Sequence, residues 1–153
     1  MTRIFVISIL FALAACAPAG HGDPDIAVQG WARETAPGQS VAAAYLTIEN
    51  SGPGTDRLVG VASPAAEQAS LHSTTVEDGV ARMRAIDGGL EIPARGAAAL
   101  EPGGDHIMLV GLRQPLVRGT DVELQLRFER SGERQVAVRV LEPGASPEPH
   151  EGH

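Results

Sequence analysis

The sequence predicts an all-β fold, an antiparallel sandwich or barrel with Greek-key connections. Three observations point there. Val122, Leu124, Leu126 and Phe128 alternate with Glu123, Gln125, Arg127 and Glu129, a period of two that gives one apolar and one wet face. Several further short apolar segments are each bounded by Gly, Pro or Asn. No stretch carries the 3.6-residue periodicity of a long amphipathic helix.

In chain order, strands are expected at Ile26 to Arg33, Val41 to Asn50, Arg57 to Ala62, Ala81 to Ile86 and Ile107 to Leu109. A short helical turn is expected from Ala65 to Ala69. After it, Leu71 shares a parity with Ala69, whereas Ser70 and His72 fall on the other. The strand ending at Phe128 leads into a hairpin, with Ser131, Gly132 and Glu133 as the turn and Val136, Val138 and Val140 as the inward face of the returning strand. Seven or more short strands at this spacing are the pattern of a sandwich or barrel.

A length of 153 residues fits a single domain. Hydrophobic residues make up 43% of the chain and aromatic residues only 3%, so the core must be aliphatic and no aromatic platform for stacked bases is expected. The net charge of -7 spreads twelve basic residues among nineteen acids, which disfavours a polyanionic partner. No nucleic-acid partner is expected.

The opening residues read as an address. Arg3 precedes an apolar run from Ile4 to Ala15, the layout of a secretory signal and short for a membrane span. Leu13, Ala14, Ala15 and Cys16 resemble a bacterial lipobox, in which the cysteine is lipidated and becomes the mature N-terminus. The alternative is an ordinary signal peptide cut near Ala17 or Ala19. Both readings export the protein, and the lipobox reading places it in the periplasm on the outer or inner membrane. The organisation expected is a lipoprotein signal peptide at 1–15, a flexible tether at 16–25, a β-sandwich domain at 26–142 and a disordered tail at 143–153. Cys16 is the only cysteine, so no disulfide can form within the mature domain.

Within the expected domain every histidine and every methionine falls in one set, His72-x10-Met83-x22-His106-x-Met108. Thioether sulfur with neutral imidazole favours Cu(I) over Zn, Mg or Ca, because soft donors suit a soft ion. His106 and Met108 are two apart in a strand and share a face, with Ile107 and Leu109 on the opposite, core-directed one. By the same parity His72 should face away from the core. Met83 alternates with Arg82 and Arg84 and falls with Ala81 and Ala85 on the more apolar parity, so by pattern alone it reads better as a core residue. Two thioethers and two imidazoles carry no formal charge, so one Cu(I) would be held without the anionic pull that attracts divalent ions. Exchange of the metal requires an exposed site, and at least one of Met83 and Met108 should be solvent-accessible. In the tail, His150 and His153 stand among Glu148 and Glu151. They are either incidental histidines of a solvated segment or an auxiliary, loose site for Cu(II).

Other chemistries are hard to build from these residues, and no enzyme is expected. A blue-copper centre needs a cysteine thiolate, which the mature domain lacks. No Gly-x-Ser-x-Gly elbow occurs, and no His or carboxylate triad has the spacing of catalytic zinc. The competing reading is a metal-free envelope lipoprotein that serves adhesion or assembly, in which the four residues need not converge.

With these residues in view, the chain resembles the periplasmic PCuAC copper chaperones. Their pattern, His-x10-Met-x21-His-x-Met, differs from this chain by one residue in the Gly-rich stretch before His106, a difference that a loop absorbs. AAAYLTIENSG around Tyr45 and Asn50, DRLVGVASPAAEQASLH up to His72 and EPGGDHIMLVGL around His106 carry the likeness across about residues 26 to 141. The resemblance implies a cupredoxin-like β-sandwich that binds one Cu(I) through His72, Met83, His106 and Met108. It also implies delivery to the copper centres of cytochrome oxidase, beside a Sco-type thiol chaperone. A lipid anchor at Cys16 departs from the soluble members and would confine such a chaperone to a membrane surface.

Overall fold

The computed structural model describes residues 22–145, which carry ten strands and no helix. These are β1 (Ile26–Arg33), β2 (Val41–Asn50), β3 (Asp56–Ala62), β4 (Ala66–Glu77), β5 (Val80–Ala85), β6 (Leu90–Ile92), β7 (Gly96–Leu100), β8 (Asp105–Leu112), β9 (Asp121–Phe128) and β10 (Gly132–Leu141). They form one sheet in the order β5-β4-β8-β2-β1-β10-β9-β3-β6, with β7 also paired to β2. Cys16, His21, His150 and His153 lie outside the described residues.

The alternation in β9 is realised without exception: Val122, Leu124, Leu126 and Phe128 are buried and the residues between them exposed. Val138 and Val140 of β10 join them. Leu71 of β4 and Ile107 and Leu109 of β8 belong to the same cluster as Leu124 and Leu126. Strands distant in the sheet order therefore face one another across one aliphatic interior, as a sandwich requires.

Four expectations change in detail. The segment Ala65 to Ala69 is not a helical turn: Pro64 and Ala65 form a turn and the chain is extended from Ala66 onward. Its Ala-rich composition favours a helix locally, but pairing with β8 over Ala66 to Ser73 outweighs that preference. The sheet is not wholly antiparallel, because β1 and β10 pair in parallel, with Trp31 opposite Arg139 and Arg33 opposite Leu141. Ladder hydrogen bonds join strands of either sense, so the sequence of one strand does not reveal the direction of its neighbour. The β9–β10 turn is Glu129, Arg130 and Ser131, two residues earlier than expected. Gly132 follows at φ +76°, a conformation that glycine adopts without strain. Finally, β6 and β7, three and five residues long, carry too little pattern to be recognised in the sequence.

Candidate metal centre

Directly paired residues of neighbouring strands share a face of the sheet, and alternate residues along a strand share it too. On β4 and β8, His72 is opposite His106 and Ser70 is opposite Met108. On β4 and β5, His72 is opposite Ala85 and Thr74 is opposite Met83. Ala43 of β2 pairs with Met108, and Tyr45 of β2 pairs with Trp31 of β1. All of these residues therefore occupy the face opposite Leu71, Ile107 and Leu109. Along this face the histidine pair lies between the methionines, with Met83 one diagonal step away at the Thr74 end and Met108 at the Ser70 end.

The imidazoles of His72 and His106 have ring centroids 6.0 Å apart and planes inclined by 29°. Met83, His106 and Met108 line a shared cleft of about 230 Å³, walled on its other side by Arg33, Glu34, Thr35 and residues of β2. His72 does not line the cleft and lies beside it, against His106. Among the described residues no three His, Cys, Asp or Glu side chains converge as a metal site, so a metal held here would depend on the thioethers.

Each imidazole has one nitrogen engaged. His106 Nδ1 lies 3.1 Å from the Gly104 carbonyl oxygen, which also accepts the Thr74 backbone N–H at 3.1 Å. A carbonyl only accepts, so His106 carries a proton on Nδ1, and Nε2 is the nitrogen that holds the lone pair in the neutral ring. His72 Nε2 lies 3.0 Å from Ser70 Oγ, while its Nδ1 is buried without any hydrogen-bond partner. A buried acceptor without a partner is costly in a folded protein, and a bound cation would relieve it.

Two of the four environments differ from the sequence reading. His106 faces away from the core as expected but is only 6% exposed, because the outer face is itself covered at this point. Met83 is not a core residue; it is 51% exposed. Its parity is apolar, but β5 is the edge of the sheet and is exposed along its whole length, so neither of its faces is covered. Met108 and His72 are half-buried. The expectation that at least one methionine is accessible holds, and Met83 is that residue.

The neighbours of the four were not foreseen. Trp31 and Tyr45, the chain's single Trp and single Tyr, have ring centroids 4.5 Å apart. Both are buried yet lie outside the aliphatic core cluster, on the same face as the histidines. Arg33 places its guanidinium 5.7 Å from the Tyr45 ring centroid. Ser70 and Gly104 are each two residues from a histidine, and parity could have found them. Arg33 is far away in sequence and carries no such signal.

Fold and donors together define a cupredoxin-like β-sandwich with a soft-donor cleft on one outer face. The family model "Putative lipoprotein LpqE-like" matches residues 27–140. A Leifsonia xyli subsp. xyli protein that carries the same lipoprotein description, Lxx21020, is 35% identical over 96% of this chain and 93% of its own length. Among solved structures, the copper-bound PCuAC domain from PmoF2 superposes with a TM-score of 0.64 at 26% identity, covering 77% of this chain and 93% of that domain. The Cu(I) form of DR1885 from Deinococcus radiodurans superposes with a TM-score of 0.60 at 34% identity, covering 84% of each chain. The chain belongs to the LpqE-like family, the family of the PCuAC domains.

Proposed function

We propose that this protein is a copper chaperone of the bacterial envelope, holding one Cu(I) through His72, Met83, His106 and Met108 and passing it to copper enzymes such as cytochrome oxidase. The observation that carries this reading is the histidine pair, with His72 opposite His106 and a methionine on each diagonal. Likeness to a copper-bound PCuAC domain and to the Cu(I) form of DR1885 supports it.

The chain's own groups suit such a cargo. The Gly104 carbonyl keeps the His106 proton on Nδ1 and leaves Nε2 to the metal. If Ser70 Oγ accepts a hydrogen bond from His72 Nε2–H, the buried Nδ1 keeps the lone pair free for the metal. Four neutral donors would hold Cu(I) without attracting harder divalent ions. Exposed Met83 would be the first ligand that an acceptor displaces. The protein acts as a carrier rather than an enzyme: Ser70 Oγ and His72 Nε2 are 3.0 Å apart, but His72 Nδ1 has no partner, so no third group orients the imidazole as a base.

Lipidation of Cys16 would tether the domain at 26–142 to the outer or inner membrane, facing the periplasm, through the segment at 16–25; the lipoprotein description of the Leifsonia relative supports this. A Sco-type thiol chaperone is the expected companion in delivery. His150 and His153, in the tail at 143–153, would collect Cu(II) loosely.

Anaerobic Cu(I) titration of the full chain against a chromophoric chelator tests the site. One Cu(I) bound by the wild type and lost in the variant combining His106→Ala and Met108→Ala is the expected result. Failure of the wild type to compete for Cu(I) would leave a metal-free envelope module as the account of this fold. For the tail, unchanged Cu(II) stoichiometry after truncation beyond Glu142 would remove the auxiliary site.

A further inference from the structure

The cleft that Met83, His106 and Met108 line also has a cation, Arg33, in its wall. Arg33 Nε is buried without a hydrogen-bond partner, and none of the ion pairs among the described residues involves Arg33. Its contact is with the face of Tyr45, whose ring packs against Trp31 at a tilt of 39°. A cation over an aromatic face is held there by the ring quadrupole. Leaving a buried N–H without an acceptor is nonetheless costly, and half-buried Arg33 stands at the wall of the cleft that Met83, His106 and Met108 line. Glu34 is the one carboxylate lining the cleft, and its Oε1 accepts the Arg118 backbone N–H at 3.3 Å.

We propose that Arg33, braced by Tyr45, is a charge filter that sets the preference of this cleft for a monovalent over a divalent cation. The proposal rests on the Cu(I) reading above. The work of bringing an ion up to a fixed positive charge grows with the ion's own charge, so Arg33 opposes Cu(II) or Zn(II) twice as strongly as Cu(I). The soft donors select by chemistry and Arg33 selects by charge. A site that must refuse zinc in the envelope then has two independent grounds for doing so.

The test compares Cu(I) and Zn(II) affinities of the full chain for wild type, Arg33→Gln, Arg33→Met and the charge-retaining Arg33→Lys. Any zinc held by the terminal histidines is common to all four. For the two neutral variants the expected gains are about threefold for Cu(I) and about tenfold for Zn(II), with Arg33→Lys close to wild type. The potential of bound copper should fall by about 30 mV, which is the threefold difference between the two oxidation states at 59 mV per tenfold for one electron. Glu34→Gln should move the zinc preference in the opposite direction. An unchanged Zn(II)-to-Cu(I) ratio in both neutral variants, with Cu(I) binding intact, overturns the filter and leaves the chaperone reading standing. Absence of Cu(I) binding in the wild type overturns both.

Discussion

His72 on β4 lies directly opposite His106 on β8, with ring centroids 6.0 Å apart, and each ring has a single nitrogen tied to a residue two positions earlier in the chain. The two ties differ in strength of direction. The Gly104 carbonyl can only accept a hydrogen bond, whereas the Ser70 hydroxyl can accept or donate one. Ser70→Ala should therefore loosen the orientation of His72 and weaken Cu(I) binding by about tenfold, with the fold intact by circular dichroism. Affinity equal to wild type would mean that Ser70 does not orient the ligand.

The methionines and the core can be separated by stability. Met83 is exposed on an edge strand, so Met83→Ala should change unfolding free energy by no more than about 0.5 kcal/mol while weakening Cu(I) binding. Ile107, fully buried between the two ligands of β8, should cost about 2 to 5 kcal/mol when changed to Ala. Urea denaturation of the metal-free protein measures both. A large stability loss in Met83→Ala would contradict its placement outside the core.

Trp31 should report on the cleft. It is the only tryptophan, 7% exposed, and packed against Tyr45, which shares a face with His106 and Met108. Its emission in the metal-free protein should lie at the blue end of the tryptophan range and change on addition of Cu(I). The change should be absent in the variant combining His106→Ala and Met108→Ala. A full response in that variant would show that Trp31 senses copper bound elsewhere.

Asp56 governs acid stability at the other end of the domain. Burial alone would raise its pKa, but hydrogen bonds from the Ser131 hydroxyl and from the backbone N–H groups of Arg130, Arg57 and Ser131 outweigh burial and hold it below its ordinary value. A carboxyl lowered in the folded state contributes stability above its unfolded pKa. That contribution fades as pH falls through the ordinary aspartate range and is gone below the folded value. Asp56→Ala should cost about 3 kcal/mol at neutral pH, because the buried donors of the β9–β10 turn lose their acceptor. Thermal unfolding of wild type and variant should converge on acidification; a constant gap across pH would show that Asp56 acts through packing rather than charge.

Where a strand is covered on one face and wet on the other, its side chains declare both the strand and its inward parity. Val122 to Phe128 and Val136 to Val140 could therefore be read directly. The same parity correctly sent His72, His106 and Met108 to the face away from Ile107. It misled at Met83, since a strand at the edge of a sheet is free of the rule that apolar parity means burial. Local composition misled at Ala66, where pairing with β8 decided against a turn of helix.

The residues alone determined which donors exist: two imidazoles and two thioethers in the domain, no thiol, and a periodicity that makes strands of the segments bearing most of them. Tertiary structure decided everything that depends on register between strands. It placed His72 opposite His106, brought Arg33 to the wall of the cleft, buried His106 on a face expected to be wet, and left Met83 open. The physical reason is that alternation sets which way a side chain points along one strand, whereas its neighbours come from strands tens of residues away, through hydrogen-bond ladders that any backbone can form.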